Sequence, residues 1–276
     1  MGGLGNQLFI IFATIAYAAE HRLEFRLPRY RGMLGLDHSP RPAYWDTLLR
    51  GLRPHLAEDG ELDGVQPLMI HEEMEFQHRP LPPPSGNDRW ICLHGYFQHP
   101  GYAEPQFRSV LDLLRLPLDR YAREARGCVA MHFRVGDYKN VDAFNILPAQ
   151  YYEKALRRVA RVAGARTVRY AMQDTKEDGA HVESVLAHLR RQFPRTKFER
   201  LDPGMQDWEQ LLFMAQCDHD VIANSTFSWW AARLNPRASR KVAYPDPWFP
   251  GVRMAAPADD PSKWIAVEVQ AGTTET

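Results

Sequence analysis

Short apolar segments alternate with amphipathic stretches through the second half of the chain. The apolar segments are rich in Val, Ile and aromatic residues and predict β-strands, whereas the stretches between them have the apolar spacing of helices. The predicted strands are 128–133, 167–172, 196–200, 221–223 and 241–244, and the predicted helices are 148–163, 178–192, 206–217 and 225–234. This alternation is typical of a parallel sheet covered by helices, so the second half predicts a Rossmann-like domain with 241–244 as its last strand.

The first half of the chain is less regular. Residues 8–20 form an apolar run without proline, which predicts a buried helix entered through the glycines that precede it. Prolines interrupt the region that follows, where 80–84 predicts an extended surface loop and 90–94 is the clearest strand. We predict two domains, an N-terminal domain over 1–125 and a C-terminal domain over 126–276.

The composition is that of a folded globular protein of 276 residues, with 34 basic side chains balanced by 34 acidic ones. A net charge of zero gives no long-range attraction for nucleic acid, so nucleic-acid binding is disfavoured. Cys92, Cys128 and Cys217 match no zinc or redox spacing, and we expect reduced core residues. The longest apolar run, 8–19, falls short of a membrane span and no basic segment precedes it, so we expect a cytoplasmic protein without an integral membrane segment.

A polar cluster, HFRVGDY at 132–138, follows the first predicted strand of the second half. Strand alternation places His132 and Arg134 on one face, and Gly136 allows a sharp turn. The guanidinium of Arg134 matches a phosphate bidentately, and Asp137 is suited to orient that arginine or to act as a base. A surface turn with an Arg-Asp ion pair is the alternative interpretation.

A second cluster, NSTFSWW at 224–230, joins a predicted buried strand to a helix. Ser225 and Thr226 are good N-cap residues, so backbone N–H groups and hydroxyls converge where an anion meets the helix dipole. We therefore predict a phosphate-binding turn. The alternatives are a simple cap above core tryptophans and, in a secreted protein, a glycosylation site at Asn224.

A glycine-rich segment, GGLGNQ at 2–7, is the third candidate. Its glycines allow close approach of backbone to a ligand, and the side chains of Asn6 and Gln7 both donate and accept hydrogen bonds. A glycine-rich loop alone is weak grounds for a site, and a flexible terminus is the alternative.

Asp174 and the pair Asp218 and Asp220 differ in their expected location on the sheet. Asp174 follows the predicted strand 167–172, at the edge where parallel sheets bind ligands, and is suited to accept hydrogen bonds from a base or ribose. Its alternative role is the boundary of the next helix. Asp218 and Asp220 have the Asp-x-Asp spacing of a divalent-cation site, but they precede their strand, so we expect a solvated turn.

Three segments occur in the order of one known family: GGLGNQLF at 2–9, HFRVGDY at 132–138 and ANSTFSWWAARLN at 223–235. Together they resemble the α-1,2-fucosyltransferase family, family 11 of the glycosyltransferases, over Gly2 to about Trp248. Further similar positions are Leu147, Pro148, Tyr151 and Tyr152. The resemblance implies an α/β fold of the GT-B type, with two Rossmann-like domains facing a cleft. Family members carry a strand just before the glycine segment, so the first domain is expected to lack its usual first strand.

The resemblance also implies inverting transfer of L-fucose from GDP-fucose to a glycan acceptor, at O2 of a galactoside, with no metal or other cofactor required. The C-terminal domain would bind the GDP-sugar and the N-terminal domain would lie on the acceptor side. The expected donor contacts are His132, Arg134, Asp174, Asn224, Ser225, Thr226 and Ser228. The loop residues expected to face the cleft are Gly3, Gly5, Asn6 and Gln7. Arg134 and Asn6 are the catalytic candidates, and Asp137 is the candidate general base.

Two alternative functions stay open. One is a GT-B transferase for another sugar or acceptor, because a phosphate site defines neither. The other is a non-catalytic protein that binds sugar nucleotides or glycans. Slow release of fucose from GDP-fucose without an acceptor would distinguish an enzyme from a binding protein.

Overall fold

The structure, a computed structural model, divides the chain into two compact units, Met1–Pro117 and Leu118–Thr276. The sequence predicts a boundary at 125/126, and the segment 118–125 lies in the second unit. The residues that the structure describes are 2–29, 32–34, 40–72, 76–86, 89–104, 106–140, 144–163, 167–173, 176–257 and 261–269.

The first unit is built on a buried helix, α1 (Leu4–His21), which confirms the helix predicted over 8–20. It begins four residues earlier than predicted, so Gly5, Asn6 and Gln7 lie in its first turn and not in an entry loop. It ends at Arg22, whose left-handed backbone donates its N–H to the carbonyls of Ala18 and Ala19. The other elements are β1 (Gly32–Leu34), β2 (Pro40–Pro42), β3 (Leu68–His71), β4 (Ile91–His94), α2 (Phe107–Leu114) and the 3-10 helices Arg50–His55 and Pro100–Tyr102. Strands β1 and β2 pair antiparallel, whereas β3 and β4 pair parallel.

Two weaker predictions for this unit are confirmed. Strand β4 falls on the predicted segment 90–94. The proline run 80–84 belongs to no regular element, and it is mostly exposed. The hydroxyl of Tyr17 in α1 donates to the Pro82 carbonyl at 2.9 Å, which ties this loop to the helix.

The second unit is a six-stranded parallel sheet whose successive strands, except the last two, are joined by α-helices. Its elements are β5 (Cys128–His132), α3 (Ala149–Ala163), β6 (Thr167–Ala171), α4 (Lys176–Gln192), β7 (Lys197–Arg200), α5 (Asp207–Met214), β8 (His219–Val221), α6 (Thr226–Leu234), β9 (Val242–Asp246) and β10 (Trp264–Glu268). The strand order is β7-β6-β5-β8-β9-β10. The chain thus winds outward from β5 to β7, returns to β8 beside β5, and winds outward to β10. This is the doubly wound Rossmann order, and ligands bind such sheets where the winding reverses, at the carboxyl ends of β5 and β8.

Two predictions for this unit are wrong. The strand at 241–244 is not the last, because β10 follows a proline-rich loop and pairs with β9 along the sheet edge. Asp220 does not lie in a solvated turn, because β8 begins two residues earlier than predicted and Asp220 is fully buried in it. Its carboxylate accepts a hydrogen bond from Asn235 Nδ2 at 3.2 Å, and burial raises the pKa of Asp220 to about 7.

The core of the second unit lies between the sheet and helices α3 and α4. Strand β5 is buried along its whole length, as expected for a central strand of a parallel sheet covered on both faces. Trp229 and Trp230 of α6 are 1% exposed and meet edge to face, with ring centroids 5.2 Å apart. Within the described residues, no helix is long and apolar enough to cross a membrane.

Candidate active site

The first candidate segment begins where β5 ends. His132 is the last residue of β5 and is 6% exposed. Burial, and secondarily the nearby Arg134, lower the pKa of His132 to about 3, so its imidazole is neutral at pH 7. The Nδ1 atom of this ring has no hydrogen-bond partner among the described residues. The end of β5 therefore carries a buried, neutral imidazole whose Nδ1 can form a hydrogen bond with a ligand.

The turn that follows is fixed by an aspartate from α4. Gly136 has a φ of +28°, a backbone conformation that favours glycine, and a Cβ at this position would collide with the amide end of the Gln173 side chain. Asp178 accepts the Gly136 N–H at 3.1 Å and pairs with Lys139 Nζ at 2.7 Å. Asp178 is 1% exposed, and it joins the start of α4 to both sides of the turn. Asp178 was not among the predicted site residues, although an acidic side chain at a predicted helix start was a usable signal.

Tyr138 connects the two predicted phosphate-binding segments. The guanidinium of Arg134 lies over the Tyr138 ring, 4.9 Å from its centroid. The Tyr138 hydroxyl donates to the carbonyl of Asn224 at 2.8 Å. Phe227, in the first turn of α6, approaches His132 with ring centroids 5.3 Å apart. The segment after β5 and the turn after β8 are therefore neighbours, as the order of the sheet requires.

Asn224 anchors this junction from inside the protein. It is 0% exposed, and its Nδ2 donates to the backbone carbonyl of Asn145 at 2.8 Å and to the Asn145 side chain at 3.1 Å. One residue thus holds the loop before α3 through its side chain and Tyr138 through its carbonyl. The structure places Asn224 as a support of the predicted site, and its Oδ1 has no hydrogen-bond partner among the described residues.

Two tyrosines of α3 support the ends of the same two strands. The Tyr152 hydroxyl donates to the His132 carbonyl at 3.3 Å, and the Tyr151 hydroxyl donates to the carbonyl of Ile222, just after β8. Both side chains are buried, and burial raises the pKa of each phenol, so both hydroxyls stay protonated donors. Two hydroxyls of α3 therefore bind the backbone at the carboxyl ends of β5 and β8.

The start of α6 has the geometry of an anion-binding turn. Ser225 is the N-cap residue, but its side chain makes no capping hydrogen bond. The first N–H groups of any helix have no carbonyl partner within that helix, so the amides of Phe227 and Ser228 and the helix dipole favour an anion here. The Ser228 hydroxyl is buried and donates to the carbonyls of Ala223 at 3.4 Å and Ser225 at 3.3 Å, which stabilises the turn itself. Thr226, the first residue of α6, lies at the same end.

The glycine segment belongs to the first unit and is described with it. Gly3 is the N-cap residue of α1, and Gly5 lies in its first turn. Asn6 Oδ1 accepts a hydrogen bond from Gln98 Nε2 at 3.3 Å. Gln7 is 2% exposed and donates to the carbonyl of Pro42 at 3.0 Å, so its amide supports the unit from inside.

Two predicted residues lie beyond what the structure describes. Asp174 is outside the described residues, and Asp137 is described only by its backbone, in the 3-10 helix Gly136–Asn140. Their roles stay predictions. Among the described residues, no group of three His, Cys, Asp or Glu side chains has the arrangement of a metal site.

The second unit is thus a Rossmann-like domain with a candidate anion site at its topological switch point, the arrangement of a nucleotide-binding domain. The chain belongs to glycosyl transferase family 11, whose sequence profile matches residues 94–267. The family assignment confirms the resemblance inferred from the sequence motifs. The GGLGNQLF segment lies before the matched residues.

Two relatives from Escherichia coli are similar over about half of the chain. The O-antigen biosynthesis glycosyltransferase WbnK is 30% identical over 176 aligned positions, and the match covers 58% of this chain and 56% of WbnK. An alpha-1,2-colitosyltransferase is 26% identical over 144 aligned positions, and the match covers 51% of this chain and 47% of that protein. The chain therefore spans about half the length of these relatives.

A solved structure shares the fold. The crystal structure of POFUT1 in complex with GDP-fucose (crystal form II) matches with a TM-score of 0.53 at 13% identity, over 88% of this chain and 95% of POFUT1. At this identity the likeness concerns the fold alone. It confirms the predicted α/β fold class of the GT-B type.

Proposed function

We propose that this chain is an inverting glycosyltransferase that transfers L-fucose from GDP-fucose to O2 of a galactoside. The observation that supports the proposal most is the hydrogen bond from Tyr138 to Asn224, because it joins the Arg134 segment to the turn before α6 at the switch point of the sheet. Membership of glycosyl transferase family 11 supports the reaction class. In this proposal the second unit binds the GDP-sugar and the first unit lies on the acceptor side.

The donor diphosphate would be held by a cation and by backbone amides. Arg134 offers a planar pair of N–H donors, and the stack on Tyr138 restricts how that fork is oriented. The first-turn amides of α6, with the hydroxyls of Ser225 and Thr226, would bind the other phosphate oxygens. His132, neutral at pH 7, would add a hydrogen bond without adding charge, and Asp174 would bind the ribose or base. Asn224 and Ser228 would hold the turn in place.

The transfer would be an in-line displacement at the anomeric carbon of fucose. The acceptor oxygen forms a bond to C1 while the bond from C1 to the GDP oxygen breaks, and the acceptor proton passes to the carboxylate of Asp137 as general base. Negative charge grows on the departing diphosphate, where Arg134 and the α6 amides stabilise it as fixed groups. In the proposal this cation and these amides do the work for which other transferases use a metal ion. Asn6, on the acceptor side, would orient the attacking hydroxyl.

A panel of nucleotide sugars tests the donor. GDP and GDP-fucose at a hundredfold excess over Kd should stabilise the protein by about 2.7 kcal/mol. For a unit of this size that is a rise of about 5–11 °C in Tm. UDP- and ADP-sugars should produce no comparable rise. Equal stabilisation by UDP-sugars would contradict the proposed donor.

Donor hydrolysis then separates an enzyme from a binding protein. The wild-type protein should slowly release fucose from GDP-fucose without acceptor, and faster when lactose is added as a galactoside. Stabilisation by GDP-fucose without hydrolysis or transfer would instead indicate a non-catalytic sugar-nucleotide-binding protein.

One observation favours a second candidate. A relative that is 26% identical over 144 residues is an alpha-1,2-colitosyltransferase, so the sugar of the donor varies among proteins similar to this chain. A transferase for a sugar other than fucose would bind GDP equally well through the same diphosphate contacts. Comparing transfer from GDP-fucose and from GDP-colitose to lactose distinguishes the two candidates.

A further inference from the structure

In the first unit, a carboxylate holds the loop that follows β4. Glu72 comes directly after β3, and its own N–H donates to the His94 carbonyl at 2.9 Å, which extends the pairing of β3 with β4. Its Oε2 accepts two consecutive backbone N–H groups, from Tyr96 at 2.7 Å and from Phe97 at 2.8 Å. These distances are those of charge-assisted hydrogen bonds, which are about twice as strong as neutral ones.

The loop held by Glu72 has an uncommon backbone conformation. Phe97 has a φ of +53°, in the left-handed region that a bulky residue rarely adopts. The His99 N–H donates to the Phe97 carbonyl at 2.8 Å, which closes a three-residue turn centred on Gln98. The Phe97 side chain is 0% exposed and meets Tyr102 edge to face at 5.3 Å. Such strain persists only where the surroundings impose it, and it concentrates at functional sites.

Gly95 shows how closely Glu72 fits this loop. A Cβ at Gly95 would collide with the Glu72 side chain, so the carboxylate passes directly against the backbone of the loop. Two backbone donors, one strained residue and one glycine are therefore arranged around a single acidic group. Removing that group would release the turn without removing any residue of the turn itself.

The turn presents a side-chain amide to the first turn of α1. Gln98 is 8% exposed, and its Nε2 donates to Asn6 Oδ1 at 3.3 Å. Exposed imidazoles of His71 and His94 meet edge to face, with centroids 4.9 Å apart, where β3 and β4 end. Side-chain amides that donate and accept hydrogen bonds suit the hydroxyls of a sugar, and exposed rings suit its apolar faces.

We propose that Glu72 is a positioning residue of the acceptor site: it fixes the loop 95–98 so that Gln98 and Asn6 bind hydroxyls of the acceptor glycan. This inference rests on the proposed function and assigns the acceptor contact to a residue pair of the first unit. Glu72 itself does not contact the acceptor. It acts through the backbone of Tyr96 and Phe97.

Steady-state kinetics with lactose as acceptor tests the proposal. Glu72→Ala should raise the KM for lactose at least tenfold, with kcat within about twofold and the Kd for GDP unchanged. Glu72→Gln should give an intermediate KM, because an amide oxygen still accepts the two N–H groups but without charge, and this variant decides the question if Glu72→Ala does not fold. A merely structural role would lower the folded fraction and leave the KM of the remaining enzyme unchanged.

A double variant tests whether Glu72 acts through Gln98. Gln98→Ala should raise the KM for lactose as much as Glu72→Ala, and the double variant should be no worse than Gln98→Ala alone, because both changes remove the same contact. Multiplying effects in the double variant would contradict the proposal. So would a KM for lactose that stays at the wild-type value in both Glu72 variants.

Glu61→Ala is the matched control. Glu61 is also a carboxylate of the first unit that accepts a backbone N–H, from Glu58 at 2.8 Å, and it pairs with Arg26 at 3.0 Å. Its removal should leave the KM for lactose unchanged.

If the wild-type protein transfers to no galactoside, the proposed function fails instead. Amide hydrogen exchange then tests whether Glu72 fixes the loop 95–98. Exchange at Tyr96 and Phe97 should be faster in Glu72→Gln, and unchanged exchange would overturn the inference.

Discussion

The hydroxyl of Tyr138 is the smallest group whose removal tests how the candidate site is assembled. Tyr138→Phe deletes the donor to the Asn224 carbonyl and keeps the ring under the Arg134 guanidinium. Asn224 is 0% exposed, so its carbonyl loses a hydrogen bond that water cannot readily replace. An unsatisfied buried acceptor costs about 1–3 kcal/mol. For a unit of this size, each 1 kcal/mol lowers Tm by about 2–4 °C, so we expect Tm to fall by about 2–12 °C.

The same change should weaken donor binding, because the Arg134 segment and the turn before α6 lose the bond that joins them. A loss of about 1.4 kcal/mol is a tenfold loss of affinity, and we expect the Kd for GDP to rise about tenfold by calorimetry. Tyr138→Leu should weaken GDP binding further, because the stack with Arg134, a contact of about 0.5–2 kcal/mol, is lost as well.

Tyr121→Phe is the matched control for the hydroxyl. Tyr121 also belongs to the second unit, and its hydroxyl donates to Glu209 at 3.2 Å, at the start of α5. This variant should leave the Kd for GDP unchanged. Unchanged GDP affinity in Tyr138→Phe, or an equal loss in Tyr121→Phe, would refute the reasoning.

Three further predictions follow from individual residues of the second unit. The pKa of His132 is lowered to about 3, so unfolding takes up a proton between about pH 6.5 and 3, and stability falls as pH falls through that window. From pH 6.5 to 5 the wild-type protein should lose about 1.7 kcal/mol more than His132→Gln in urea unfolding, and parallel pH profiles would contradict this. Ser225→Ala should change the unfolding free energy by less than about 0.5 kcal/mol, because the side chain makes no capping bond. The same change should weaken GDP-fucose binding. A loss of stability without a loss of binding would mean that Ser225 caps the helix and does not bind the donor. Gly136→Ala should destabilise the protein by about 1–3 kcal/mol, because the new Cβ collides with Gln173. Adding Gln173→Ala should restore part of that loss in thermal unfolding. No rescue would mean that the backbone conformation alone causes the loss.

The regular elements of the second unit were predictable because their signals are local. Short apolar runs mark β5 and β6, and the apolar spacing of α3 and α4 marks the helices between the strands. The two site segments were predictable for the same reason, since HFRVGDY and NSTFSWW each contain their own strand end, turn residue and polar groups. Their proximity also followed, once the sheet was expected to be parallel.

The contacts that fix the site were not predictable, because they join residues far apart in sequence. Tyr138 and Asn224 are separated by 86 positions, and Gly136 and Asp178 by 42. Tyr138 was predicted only as part of a motif, and Asp178 was not predicted as a site residue. Burial of Asp220 was missed for a related reason, because a charged residue inside a strand contradicts the local pattern. Its hydrogen bond from Asn235 and the charge of Arg240, both distant in sequence, make the position acceptable.

The central claim is that Arg134 and the first-turn amides of α6 hold the donor diphosphate without a metal ion. Arg157→Lys is the matched control, because the Arg157 guanidinium also lies over an aromatic ring, 5.0 Å from the centroid of Phe193. A charged, bidentate contact contributes about 1.5–3 kcal/mol, so Arg134→Lys should weaken GDP binding at least about tenfold and Arg157→Lys should not. The most direct measurement is therefore the Kd for GDP of the wild-type protein and these two variants by calorimetry, each with EDTA and with added magnesium. The account predicts the same wild-type Kd for GDP with EDTA and with magnesium, and weaker binding in Arg134→Lys alone. Loss of wild-type binding in EDTA, or wild-type affinity in Arg134→Lys, would contradict it.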